Sequence, residues 1–125
     1  MIAYSTIGVD DMARAIRFYD AAFAPLGAVR DTTSDTWTGY SRAGDRAKFF
    51  LTRPFNRQAA SGGNGAMLAF LGEDRAAIDR FHAAALENGG TCEGPPGVRE
   101  GMNPVFYAAY VRDPDGNKLC AFVRK

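Results

Sequence analysis

Ala66–Gly90, AMLAFLGEDRAAIDRFHAAALENGG, decides the fold, because the chain writes it twice. The earlier copy is Ala3–Ala28, AYSTIGVDDMARAIRFYDAAFAPLGA. An offset of 63 residues lays Phe81 on Phe18, Arg80 on Arg17, Ala84 and Ala85 on Ala21 and Ala22, Leu86 on Phe23 and Gly90 on Gly27. The acidic pair Glu73-Asp74 falls on Asp10-Asp11. A repeat of this length is too long for a solenoid rung, and it occurs only twice. It reads as a duplicated half-domain, two modules of roughly 60 residues building one fold.

Working outward, Ile2–Val9 alternates and is β-branched, so it reads as a strand. Asp10 offers an N-cap and Asp11 adds charge at the positive end of the helix dipole. Met12, Ile16, Tyr19, Phe23 and Leu26 then recur at the helical period, and Pro25 and Gly27 close the helix. Strands are predicted over Ala28–Thr32, Thr36–Ser41 and Lys48–Leu51, separated by the turn-forming TTSD and RAGDR. The polar, glycine-rich Asn56–Asn64 reads as a linker between module one (about 1–55) and module two (about 65–125) of a single domain spanning 1–125. Module two repeats the order. Ala66–Leu71 is a strand, and Glu73-Asp74 open a helix with Ile78, Phe81 and Ala85 on its buried face. Gly89-Gly90 end that helix, and Thr91–Glu93 is a short strand. Gly94–Pro104, GPPGVREGMNP, is too rich in Gly and Pro for regular structure and reads as a candidate lid. Val105–Arg112 and Lys118–Val123 are strands joined by DPDG, a tight turn in which Pro114 presets φ and Gly116 supplies positive φ. The fold class is therefore α+β: two tandem βαβββ modules forming an open, curved mixed β-sheet barrel with helices outside.

The 125 residues carry 15 basic and 14 acidic side chains, a net charge of +1, which argues against nucleic-acid or anionic-membrane partners. No apolar run approaches the ~18 residues of a membrane span. The opening MIAYSTIGV lacks a basic n-region and reads as a strand rather than a leader. Two cysteines make no disulfide framework, so reduced thiols in the cytoplasm are expected.

With these elements in place, IGVDDMARAIRFYDAAFAPLGA, LAFLGEDRAAIDRFHAAALENGG, GPPGVRE and YAAYVRDPDGNKLCAFV together resemble the glyoxalase/bleomycin-resistance/extradiol-dioxygenase superfamily, the vicinal oxygen chelate proteins. The resemblance covers nearly the whole chain. It implies a barrel that holds a divalent metal, which substrates chelate through adjacent oxygens. It spans lyases, isomerases, ring-cleaving dioxygenases, thiol transferases and metal-free antibiotic-binding proteins. It also implies places for the metal ligands: a His in the first strand, its counterpart in the first strand of module two, and a Glu shortly after the DPDGN turn. In this chain those places hold Tyr4, Met67 and Cys120, and Tyr4 and Met67 are also paired by the 63-residue offset. A further position lies near Phe49, Phe50 or Leu51. By resemblance a homodimer is expected, and the sequence leaves open whether modules pair within or between chains.

Composition speaks independently. The chain has one histidine, so a two-His-one-carboxylate site cannot be assembled from a single copy. No metal and no other cofactor is expected. Tyr4, Met67 and Cys120 could form a soft site for Cu(I), but sulfur side chains on inward strand faces are more often packing. Cys120 has no base nearby in sequence to activate it. His82, on the second helix, reads as locally packed. Arg99 could clamp a carboxylate or phosphate, as could Arg53; a solvated loop arginine is the plainer reading of each. Alternation sends only about half of Trp37, Tyr40, Phe49, Phe50, Phe106, Tyr107 and Tyr110 inward.

The expected ligand pocket is Tyr4, Phe50, Met67, Tyr107, Cys120 and Arg99. The expected function is metal-free binding of an apolar or aromatic small molecule inside the barrel. Its rivals are a glyoxalase-like lyase or dioxygenase with an atypical site, and a non-catalytic interaction module whose barrel is filled by its own side chains.

Overall fold

A computed structural model describes residues 1–125. Module one comprises strand β1 (Tyr4–Gly8), helix α1 (Met12–Phe23) with a 3-10 turn over Ala24–Leu26, and strands β2 (Val29–Thr33), β3 (Trp37–Ser41) and β4 (Lys48–Thr52). Module two comprises β5 (Leu68–Leu71), α2 (Arg75–Glu87), β6 (Thr91–Val98), β7 (Phe106–Arg112) and β8 (Lys118–Arg124). The duplication is thus structural: each module is βαβββ, and each makes one four-stranded mixed sheet. The orders are β1-β4-β3-β2 and β5-β8-β7-β6, with the first strand of each parallel to the last and the other pairs antiparallel. The two sheets do not join into a closed barrel.

The helices start alike. The Asp11 carboxylate accepts from the Arg14 amide at 3.0 Å, and that of Asp74, at the same offset, accepts from Ala77 at 2.8 Å. Each satisfies one of the orphan N–H groups of a first turn. The N-cap of α1 is therefore Asp11 and not Asp10. Asp10 is occupied elsewhere: its amide donates to Asp115 at 3.0 Å and its carboxylate accepts from the Ala60 amide at 2.7 Å. Gly27, at φ 77°, ends module one's helical segment in a conformation that costs a Cβ-bearing residue energy.

Phe18 and Phe81, the pair that anchored the repeat, are both fully buried. They belong to one continuous core built from α1, α2 and the helix-facing sides of both sheets. Phe23 sits at its centre, with ring contacts to Tyr19, Tyr40 and Phe49 in module one and to Phe70 in module two. Phe49 and Phe70, from opposite sheets, also touch, with ring centroids 5.3 Å apart. Each helix therefore covers the outer side of its own sheet, and within one chain the modules meet outer side to outer side. The two helix-free faces consequently point away from each other.

The DPDGN turn between β7 and β8 fastens this joint. Both oxygens of buried Asp113 accept two hydrogen bonds. One takes the Tyr19 hydroxyl at 2.6 Å and the Asn117 side-chain amide at 2.9 Å; the other takes the backbone amides of Asp115 and Asn117 at 2.9 Å. The Asn117 side-chain amide also donates to the Gly8 carbonyl at 3.0 Å, and Arg14 donates to Asp115 at 3.0 Å. Gly62, in the connection between modules, passes so close that an added Cβ would lie 2.1 Å from the Gly116 carbonyl oxygen.

A second expectation is overturned. Gly94–Val98 is not an irregular lid but continues β6, which pairs with β7 up to Val98↔Tyr107. Register shifts at Cys92/Gly94 and Gly94/Gly97 absorb the irregularity. An edge strand tolerates proline wherever the missing N–H would face away from its neighbour, and bulges take up the rest. Only Arg99–Val105 remains outside the strands.

Candidate functional site

Strand alternation assigns each side chain to a face. On the helix-free face of the first sheet, Tyr4 and Lys48 are paired across β1 and β4, as are Thr6 and Phe50. Phe50 makes edge-to-face contacts with Tyr4 at 5.7 Å and with Trp37 at 5.4 Å. Such contacts hold rings in fixed relative orientations. Tyr4 is 59% exposed and Trp37 40%, so this aromatic corner lies open. Beside it Asp31 accepts from Ser41 and, at 3.3 Å, from Lys48; the Ser41 bond first, then Lys48, hold the Asp31 carboxyl below its usual range.

On the helix-free face of the second sheet, Cys120 pairs with Tyr110 on β7 and with Ala69 on β5. Arg99 folds back onto this face. Its guanidinium lies 5.1 Å over the Tyr110 ring and donates to the carbonyls of Pro95 and, at 2.9 Å, Ala108. Lys118 approaches the same ring at 5.8 Å. Gly94 is what lets them close: a Cβ there would meet both Arg99 and Tyr110 at 3.1 Å. Cys120 is almost wholly buried, and burial pushes its thiol above the ordinary range.

The thiolate is the nucleophilic form, so a raised pKa slows attack at any pH below it. In native protein at pH 8, we expect a disulfide reagent such as 5,5′-dithiobis(2-nitrobenzoate) to titrate exposed Cys92 promptly. Cys120 should react at least about tenfold more slowly, and freely only after unfolding. Two equally fast thiols in the native state would contradict the burial.

The two modules can now be superposed by register. Thr6 of β1 faces Phe50, and Ala69, its equivalent at the same offset, faces Cys120. The fourth position of the resemblance is therefore Phe50, not Phe49 or Leu51, which face the core. Tyr4, Phe50, Met67 and Cys120 form one equivalent set. Tyr4 and Phe50 meet on one sheet. Cys120 lies on the other, with Met67 in the connection just before β5, 44% exposed. Within one chain the two halves are not brought together.

Arg99 joins the Cys120 face. Tyr107 does not: its hydroxyl donates to Asp79 on α2 at 2.6 Å and Arg75 stacks on its ring, so it faces the helix. His82 also lies on that side, its Nε2 3.2 Å from the Cys92 Sγ. Partial burial, then Arg99, lower its pKa. Sequence reasoning missed Tyr110 and Lys118 as the partners that frame Cys120. The signal was the β7–β8 hairpin, whose register places Tyr110 opposite Cys120.

The donors at the four equivalent positions are a phenol, a phenyl ring, a thioether and a buried thiol. They do not fit a hard divalent ion, which wants imidazole and carboxylate. Elsewhere no three His, Cys, Asp or Glu side chains gather closely enough to hold a metal. A 290 Å³ cavity does exist, but on the core side, where Phe23, Leu26 and Tyr40 of module one meet Leu68 and Phe70 of module two. No helix is long and apolar enough to cross a membrane.

A family model described as Glyoxalase/Bleomycin resistance protein/Dioxygenase superfamily matches residues 1–121. Among solved structures, a glyoxalase/bleomycin resistance protein from Albidiferax ferrireducens T118 is 40% identical with a TM-score of 0.89, covering 100% of this chain and 99% of that one. The fosfomycin resistance protein FosX from Mesorhizobium loti is 18% identical with a TM-score of 0.70, covering 100% and 92%. TnmS3, an antibiotic binding protein from Streptomyces sp. CB03234, is 21% identical with a TM-score of 0.61, covering 97% and 93%. At those identities the last two share the fold. No curated protein matches.

Proposed function

Because the chain belongs to the glyoxalase/bleomycin resistance protein/dioxygenase superfamily, we propose that it has kept the scaffold and replaced the metal centre with a surface that binds an apolar or aromatic small molecule. The observation that carries this reading is the equivalent set Tyr4, Phe50, Met67 and Cys120, none of which offers an imidazole or carboxylate. What stands there instead suits a flat apolar ligand. Tyr4, Phe50 and Trp37 offer rings held edge to face, and the second sheet offers Tyr110 flanked by two cations. TnmS3, an antibiotic binding protein, has the same fold.

The reading includes a homodimer. In one chain the two helix-free faces diverge, and Tyr4, Trp37 and Met67 are left open to solvent. A second copy that set its Cys120 face against the Tyr4 face of the first would cover that surface and enclose the ligand between them. Two free thiols are in keeping with a cytoplasmic setting.

Elemental analysis of protein purified without chelator tests the first half. We expect zinc, nickel, iron and manganese to be far below one per chain. Stoichiometric metal that disappears on substituting Tyr4 or Met67 would overturn the proposal. Sedimentation equilibrium tests the second half: a dimer is expected, and a monomer at high micromolar concentration would refute the enclosed site.

A further inference from the structure

A second cavity, of about 670 Å³, is built from module one and the connection that follows it. None of Tyr4, Phe50, Met67 or Cys120 lines it. Trp37, which opens β3, forms one wall, and the segment after β4 supplies Arg53, Phe55, Arg57 and Gln58. The segment is tied in place. The Arg57 amide donates to the Pro54 carbonyl, the Gln58 amide to the Asn56 side chain, and the Ala60 amide to Asp10 at 2.7 Å. Arg57 is the one non-glycine residue with positive φ, 62°, a conformation a Cβ-bearing side chain adopts only where its surroundings hold it.

The chemistry of the lining is uneven. Arg53 spends its Nε on the Asp35 carbonyl at 3.2 Å, which leaves its two terminal nitrogens free, and neither Arg53 nor Arg57 is paired with a carboxylate. Asp10 is the only acid in the lining, and its Oδ1 is taken up by Ala60. Phe55 is fully exposed and the Trp37 indole partly so. Two uncommitted guanidiniums beside two accessible rings match a planar ring that bears an anionic group. The volume lies within the range of small-molecule sites.

We infer that this groove is a second ligand site, for a small aromatic carboxylate or its sulfonate or phosphate equivalent. The ring lies against Trp37 and Phe55, and the anionic group meets Arg53 and Arg57. The groove shares the Trp37 ring with the aromatic corner described above, but its anionic anchor, Arg53 and Arg57, belongs to it alone, and the double arginine variant therefore separates the two sites.

Trp37 is the only tryptophan in the chain, so its indole N–H gives one cross-peak in a ¹⁵N–¹H correlation spectrum. The probe is 1-naphthoate, titrated against ¹⁵N-labelled full-length protein, with neutral 1-naphthamide as the uncharged comparison. The expected result is a saturable shift of the indole peak with 1-naphthoate. Affinity should be about tenfold weaker for the amide, and about tenfold weaker for 1-naphthoate in the Arg53→Met/Arg57→Met double variant. Arg80→Met, which removes an exposed cation on α2 away from both sites, should leave the titration unchanged. Absence of a saturable shift would overturn the inference, as would equal affinity for acid and amide. A shift kept at full affinity in the double arginine variant would place the ligand on the aromatic corner instead and overturn it too.

Discussion

Asp113→Ala is expected to destabilise the protein by about 3–5 kcal/mol, since it breaks a buried charged hub rather than one contact. The carboxylate accepts four hydrogen bonds and is almost wholly buried. Removing it strands the Tyr19 hydroxyl in the core. Burial, and after it the Asp113 carboxylate, holds that phenol far above its ordinary range, so it remains a donor needing an acceptor. The turn also loses the acceptor that fixes the amides of Asp115 and Asn117, and with it the grip on Gly8 and Asp10. Asp113→Asn keeps an acceptor and the shape, and should cost less than the alanine variant. Tyr19→Phe, which removes only the donor, should cost about 1–2 kcal/mol. Urea unfolding monitored by circular dichroism measures all three. An Asp113→Ala protein within about 1 kcal/mol of wild type would show that the turn does not hold the modules together.

Phe23→Ala should cost a similar amount, about 3–5 kcal/mol, for a different reason. Phe23 bridges the two halves of the core by ring contacts, and it borders the 290 Å³ cavity. Truncation would leave Tyr19, Tyr40, Phe49 and Phe70 without the ring they share and open the core toward the cavity between the modules. Phe50→Ala is the control. Phe50 lies on the helix-free face and is only half-buried, so its loss should cost about 1 kcal/mol and instead weaken ligand binding. Equal losses of stability in the two variants would mean that the assignment of faces is wrong.

Much of this architecture was legible because the sequence obeys short-range rules. Asp74 caps α2 three residues before Ala77, Phe81 repeats Phe18, and Pro114 with Gly116 can only make a turn; each needs nothing beyond its neighbours. The misreadings share a cause too. Asp10 looks like the better cap until its partners are known, and those are Ala60 and Asp115, 50 and 105 positions away. The run Gly94–Val98 looks irregular because proline is scored as a breaker. Its legitimacy as an edge strand depends on β7 lying on only one side of it. Tyr107 was grouped with the pocket because alternation fixes which residues share a face but not which face is which. That phase is set by Asp79, on a helix whose packing the strand does not encode. At the candidate site the sequence could say that Tyr4, Met67 and Cys120 were unsuited to a hard metal. It could not say that one chain leaves them on diverging faces, because that follows from the helices meeting each other.

The fastening turn has a consequence for how the chain comes into being. Its partners Tyr19, Arg14, Asp10 and Gly8 precede it by 94, 101, 105 and 109 positions. On the ribosome, module one emerges with its helix and strands available while the Tyr19 hydroxyl and the Gly8 carbonyl wait for residues not yet made. Contacts of such long sequence separation close late and slowly. The β7–β8 hairpin is therefore the element that completes these contacts. Any chain stalled or cleaved before Asp113 is left with an unlatched half whose apolar helix face is the natural target of chaperones and proteases.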